Sequence, residues 1–398
     1  MSRSPIPQSA DSSRLLTVAA YAAFVPIGIV NVLLGPLLPT LSARWLLNYE
    51  QAGALFTVQF LASTLGVAFS GLCISRWGFR FAIEAGLLAM AAGVAALPYC
   101  SRISGTLCIG LYGAGLGIAV PAENLLVAGL HRLGRSAALN LLNFFWSIGA
   151  VVCPFLVAAA TRRGQVPLLL AGFAGLLFLA SFVIAAMPSR VAEPHATRAK
   201  ATENLTPIEW TSNSVLLLAA LFFLYVGAES SLGGWIASYA KTLGSWSLNL
   251  SLTGPSFFYS ALMVGRWLAS RLLRRVDEIR LARTGLLIAC AGIACLLLSH
   301  ALLGVFVGAS VAGLGLAAIY PITVALLSQE FGKAASRVGS LMFTMANLGG
   351  ALLPWLVGYC SNRFGSLRAG MVVPLIAGAL MVALYSANWS PKQGQVTS

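Results

Sequence analysis

Apolar residues in this chain come in long runs, broken by short clusters of Arg, Gly, Pro or Asn. A helix that crosses the hydrocarbon core of a bilayer needs about 20 predominantly apolar residues. Reading for runs of that length predicts twelve. Six lie near 15–38, 51–73, 80–99, 105–129, 138–160 and 166–187, and six near 213–239, 255–273, 281–299, 302–328, 339–360 and 370–388. The one long polar stretch, 188–212, falls between the sixth and seventh runs and reads as a linker. The expected fold is an all-α integral membrane protein with twelve transmembrane helices in two pseudo-symmetric six-helix bundles. The expected domains are 15–187, a cytoplasmic linker 188–212, and 213–388.

An internal repeat supports the two halves. A shift of 200 residues lays Gly113, Gly115, Leu116, Pro121 and Leu126 on Gly313, Gly315, Leu316, Pro321 and Leu326. Without a gap it also lays Leu141, Gly149, Pro154, Leu156, Val157 and Arg163 on Leu341, Gly349, Pro354, Leu356, Val357 and Arg363. Apolar composition alone produces some Leu matches, but paired Gly and Pro at one offset are harder to obtain by chance. Duplicated halves are a signature of transporters, whose substrate site is expected near the bilayer midplane where the repeats meet.

Composition sharpens the membrane reading. Only 9% of the 398 residues are charged and 58% are hydrophobic, with a mean hydropathy of +0.85. Soluble domains carry about 25% charge, so this surface suits lipid rather than water. The net charge of +14 would fit a nucleic-acid partner, but the basic residues sit in short loops between apolar runs, which argues against one. With the N-terminus inside, the predicted cytoplasmic segments hold 17 of the 25 Lys and Arg, the opposite side holds 7, and Arg266 lies within the eighth run. By the positive-inside rule both termini are expected in the cytoplasm and the protein in the inner (plasma) membrane. No cleavable signal is expected, because the first apolar run continues past Leu34. The seven Cys are scattered without a CxxC and read as small buried hydrophobes rather than metal ligands or disulfides.

Two six-helix halves joined by a polar linker resemble the major facilitator superfamily. That family carries a loop between its second and third helices of the form G-x-x-x-D-R-x-G-R-R. Here Gly71, Arg76, Gly78 and Arg80 fit, while Ser75 and Phe79 replace an acidic and a basic position. Within the superfamily, 115–150 (GLGIAVPAENLLVAGL…ALNLLNFFWSIGA) and 223–240 (FLYVGAESSLGGWIASYA) resemble the fucose permease group of sugar–proton symporters. The resemblance implies transport of a monosaccharide by alternating access, coupled to protons, in a monomer. The acids that serve proton coupling in that group do not carry over position by position: Val32 and Val120 stand there, with Glu123 one turn later. An Asn of the group falls on Trp146, and Glu229 occupies a Gln-like position in the seventh run.

Ionisable groups inside a membrane are costly, so each is a functional candidate. Glu84 is spaced i, i+4 from Arg80 and reads as a structural pair at a helix end. Glu123, two residues after Pro121, and Glu229, between Gly227-Ala228 and Ser230-Ser231, are the candidates for proton coupling. The bland alternatives are a neutral carboxyl bonded to a neighbouring helix and a packing role. Glu229 is also a candidate for direct substrate binding, since Gly233-Gly234 would let the helix bend and expose carbonyls beside it. Asn31, Asn124, Asn143 and Asn347 are amides within spans, suited to vicinal hydroxyls or equally to helix–helix bonds. Trp146, Trp235, Tyr225 and Tyr320 are candidate stacking surfaces for a sugar face, while Tyr239 reads as an anchor at the membrane interface. Arg266 either snorkels toward the cytoplasm or pairs with an acid.

The chain has no GxxxxGK[ST] loop, no metal-ligand cluster and no Ser–His–Asp arrangement. An enzyme, an ATP-driven pump and a bound cofactor are therefore not expected. The expected partners are a small-molecule substrate, protons and the bilayer. The alternative function is an exporter of drug-like or amphipathic molecules, which very apolar helices would also suit.

Overall fold

In lipid, every backbone N–H and C=O must be satisfied within its own segment, so an apolar run has little choice but helix. A computed structural model describes residues 9–131, 135–186, 210–243 and 248–386; most of the expected linker, 188–209, lies outside them. The described residues contain no strand. The helices are α1 (Ser9–Val32), α2 (Leu34–Trp45), α3 (Tyr49–Ala96), α4 (Arg102–Leu130), α5 (Arg135–Arg162), α6 (Val166–Ala186), α7 (Asn213–Thr242), α8 (Leu248–Ser251), α9 (Gly254–Leu272), α10 (Glu278–Leu298), α11 (Leu302–Leu316), α12 (Ile319–Phe331), α13 (Ala335–Arg363), α14 (Leu367–Gly370) and α15 (Val372–Ser386).

Ten of these helical stretches are long and apolar enough to cross a membrane. Two further crossings account for the twelve runs. The stretch Tyr49–Tyr99 holds 51 residues, about 76 Å at 1.5 Å per residue, more than twice a bilayer core of about 30 Å. Gly78 interrupts it with φ 88°, in the left-handed region open to Gly. Gly66, before the break, lies against Ala114 and Gly117 of α4; Gly86, after it, lies against Gly115 and Ala119 of the same helix. Both arms reach one stretch of α4 because the chain folds back at Gly78. The other crossing is α9, whose Arg266 and Arg271 lower its hydropathy below that of its neighbours.

Proline decides where two expected runs break. The first run does not end near residue 38; it breaks at Leu33 and continues to Trp45. Pro36 has no N–H to give Val32, the residue four before it and the last of α1. In the same way Pro321 leaves Ala317 without its helical donor, and the expected run 302–328 is divided there into α11 and α12. The unwinding that Gly233-Gly234 would permit does not occur: α7 is continuous from Asn213 to Thr242. Those glycines serve close approach instead, with Gly233 against Tyr259 and the Gly35 backbone, and Gly234 against the Phe56 ring.

The chain forms two compact units: residues 1–33 with 61–201, and residues 34–60 with 202–398. In the first, Gly149 of α5 meets the Val25 carbonyl of α1, and Gly115 of α4 meets Gly86 and Met90 of α3. In the second, Gly349 of α13 meets the Phe223 carbonyl of α7, and Gly315 of α11 meets Gly285 and Ala289 of α10. The glycines paired by the sequence repeat thus make the same backbone contact in each unit, where small residues let helices approach. Outward faces stay apolar: α6 exposes Leu168, Phe178, Leu179 and Phe182, as a helix against lipid can.

Candidate functional site

The second unit gathers charge and aromatic rings on four helices, α7, α9, α12 and α13. Tyr225 and Glu229 are one turn apart on α7 and share a face. Opposite them, α9 supplies Arg266, whose Nη2 lies 3.7 Å from Glu229 Oε1. Both side chains keep some exposure, 24% for Arg266 and 15% for Glu229. Of the two readings open for Arg266, pairing is the one realised. A lone cation in a span is costly, and an acid on a facing helix offsets that cost. The Tyr225 hydroxyl is buried and interacts electrostatically with both members of the pair. Tyr320 starts α12 just past the Ala317 break, and its ring stands 5.6 Å from that of Tyr225. Phe222 closes the aromatic side, 5.8 Å from Tyr320 and 5.9 Å from Phe343.

Other candidates of this unit lie apart from the cluster. Trp235 is fully buried, and its Nε1 donates to the Pro354 carbonyl across 2.9 Å. Tyr239 is buried rather than anchored at an interface; its hydroxyl is 3.4 Å from the carbonyls of Leu296 and Leu297 and accepts from Arg368 Nε. Its position near the helix end suggested an anchor, but its hydroxyl turns to the last carbonyls of α10 and to Arg368. Asn347 is half-buried on α13.

The first unit holds a different kind of acid. Glu123 on α4 is 0% exposed, and neither of its carboxylate oxygens has a hydrogen-bond partner among the described residues. Its counterpart in the repeat, Thr323, is equally buried but bonded to the Ile319 carbonyl and the Tyr385 hydroxyl, each at 2.8 Å. Asn124 and Asn143 each donate one N–H to the carbonyl four residues earlier, Val120 and Leu139, which leaves a second N–H and the amide oxygen on each. Trp146 is half-buried on α5, its backbone pressed by Gly28 of α1. Asn31 follows one turn beyond Gly28 on the same face. Counting onward equally from the matched contacts at Val25 and Phe223, Asn31 occupies the position of Glu229 in the repeat.

A model of the Major Facilitator Superfamily matches residues 20–354. The chain belongs to that superfamily. It is a multi-pass membrane protein of a transporter family, not an enzyme. It is 25% identical over 376 residues to a glucose/galactose transporter of Brucella abortus, covering 90% of each chain. It is 22% identical over 385 residues to sodium-dependent glucose transporter 1A of Mus musculus, covering 87% of this chain and 90% of that one. Its fold matches the crystal structure of a D-xylose-proton symporter with a TM-score of 0.77 at 15% identity, over 96% of this chain and 99% of that one. The resemblance to the fucose permease group lies within the same fold.

Arg266 is the site residue that sequence reasoning did not select. The signal was present: it is a cation within an apolar run, and such a group needs an acid on a neighbouring helix. Phe222 was missed because one Phe among twenty carries no signal of its own.

Proposed function

We propose that this protein carries a neutral monosaccharide across the membrane by alternating access, driven by protons. The observation that carries the reading is the cluster of Tyr225, Glu229, Arg266 and Tyr320. A carboxylate accepts hydrogen bonds from hydroxyls, a guanidinium donates to hydroxyl oxygens, and the half-buried ring of Tyr320, backed by the buried ring of Tyr225, offers a flat surface for the apolar face of a pyranose. The relatives named for glucose and galactose support the same substrate class. An exporter of amphipathic molecules is less well supported by a site built on an ion pair, which favours polar solutes.

The two intramembrane acids divide the work. Taking the charge from Glu229 would remove the carboxylate that offsets Arg266, so Glu229 serves best as a fixed acceptor for substrate hydroxyls. Among the described residues Glu123 has no hydrogen-bond partner, so none loses one when it takes a proton. Glu123 is therefore the better proton carrier, binding a proton in one conformation and releasing it in the other. In this reading Asn31, Asn124, Asn143 and Trp146 contribute from the first unit. The protein acts as a monomer in the inner membrane, with both termini in the cytoplasm.

The test is uptake of labelled D-glucose and D-galactose into proteoliposomes holding the purified protein. It is run with an inward proton gradient, with an inward sodium gradient and with neither. Accumulation with the proton gradient alone is the expected result. Accumulation with sodium alone overturns the coupling, and no flux of any sugar overturns the substrate class.

A further inference from the structure

A site that holds both signs of charge is defined as much by what it refuses as by what it binds. Arg266 alone would make an anion site, because the planar fork of a guanidinium matches a carboxylate. Here Glu229 Oε1 already stands 3.7 Å from Arg266 Nη2, so the protein's own carboxylate takes the place an anionic solute would seek. That distance is beyond hydrogen-bond range. The two groups neutralise each other without sharing a directional bond, and a single hydroxyl can bridge them, donating to Glu229 while accepting from Arg266. The Tyr225 hydroxyl, buried and in electrostatic contact with both members of the pair, is a further polar group beside them.

We propose that Glu229 and Arg266 act as mutual counter-ions that restrict the site to uncharged sugars, and that removing either one turns it into a site for sugars of the opposite charge to the one removed's partner. Without Glu229 the site takes a hexuronate; without Arg266 it takes an amino sugar. The inference rests on the monosaccharide reading above but is separable from it. Ring size and configuration stay the same in D-galactose, D-galacturonate and D-galactosamine; the second carries a carboxylate at C6 and the third an ammonium at C2.

The test is equilibrium binding of these three sugars to the purified full-length protein, to Glu229→Gln, to Arg266→Gln and to the double variant. The wild type is expected to bind galactose, and both charged sugars about tenfold more weakly or worse. Glu229→Gln is expected to gain about tenfold or more for galacturonate relative to wild type, and Arg266→Gln the same for galactosamine, the range that one charge-assisted bond supplies. The double variant is expected to prefer neither ion. Should one single variant fail to fold, the other still decides the matter. If the wild type binds galactose but neither variant gains its ion, the counter-ion inference falls and the sugar reading stands. If the wild type ignores galactose while Glu229→Gln binds galacturonate, the inference stands and the neutral-hexose reading falls. Binding of none of the three by any of the proteins overturns both.

Discussion

The indole nitrogen of Trp235 donates to the carbonyl oxygen of Pro354 across 2.9 Å, tying α7 to α13. An indole has one N–H, and this bond uses it. The ring packs with Phe56 and Tyr49, each at 6.3 Å between centroids. Trp235→Phe keeps most of that packing and loses the bond. It is expected to cost about 1–2 kcal/mol of stability, read as a lower midpoint of thermal unfolding. Sugar affinity is expected to stay unchanged. A weakened affinity at unchanged stability would put Trp235 in the binding site after all.

The ion pair gives a second prediction, about stability rather than specificity. Glu229→Gln and Arg266→Gln each leave a partly buried charge without the opposite charge beside it. A fully buried pair broken this way loses about 3–5 kcal/mol. With both side chains partly exposed, about 2–3 kcal/mol is expected for each. The double variant is expected to lose less than the two single losses combined, by about 1 kcal/mol or more. Additive losses in a denaturation cycle would mean that the pair contributes nothing as a pair.

Glu123→Gln separates coupling from transport. Gln has nearly the same shape, but its amide buries two N–H donors where a protonated carboxyl buries one O–H, so a loss of about 1–2 kcal/mol in stability is expected. The variant is expected to fold and to exchange labelled sugar across proteoliposomes at a rate near wild type. It is expected to lose accumulation driven by a proton gradient. Gradient-driven accumulation equal to wild type would remove Glu123 from the coupling role.

Gly349 and Gly175 make a controlled comparison. A methyl group at Gly349 would collide with the backbone carbonyl of Phe223, whereas one at Gly175 on α6 would meet nothing within 4 Å. Gly349→Ala is expected to destabilise by about 1–3 kcal/mol through overpacking. Gly175→Ala is expected to stabilise by up to about 1 kcal/mol through helix propensity. Unfolding midpoints moving in opposite directions are the readout.

Most of the span pattern was legible in the sequence because lipid leaves the backbone so few options. Breaks at Pro36 and Pro321 follow from the donor that proline lacks, yet the run-length reading passed over both. An apolar run looks the same whether it is one helix or two. Gly233-Gly234 was misread for a related reason. Glycine permits both bending and close approach, and only the neighbours, Tyr259, Gly35 and Phe56, decide which is used. Glu229, Tyr225 and Tyr320 were legible as intramembrane polar and aromatic groups. Their meeting with Arg266 was not, since it depends on which faces of α7, α9 and α12 turn toward each other. The contrast between Glu123 and Glu229 was hidden for the same reason: the sequence marks both as acids in lipid, and only packing gives one a partner.

The paired glycine contacts, Gly149 on Val25 and Gly349 on Phe223, bear on how force travels inside each unit. Where side chains separate two helices, a push on one is taken up by rotamers that yield. Where backbone touches backbone there is no such slack. A displacement of α7 at Glu229 is therefore passed directly to α13, and one of α1 at Asn31 directly to α5. The duplication has given both units the same stiff lever, one running from the Glu229–Arg266 pair and the other within the unit that buries Glu123.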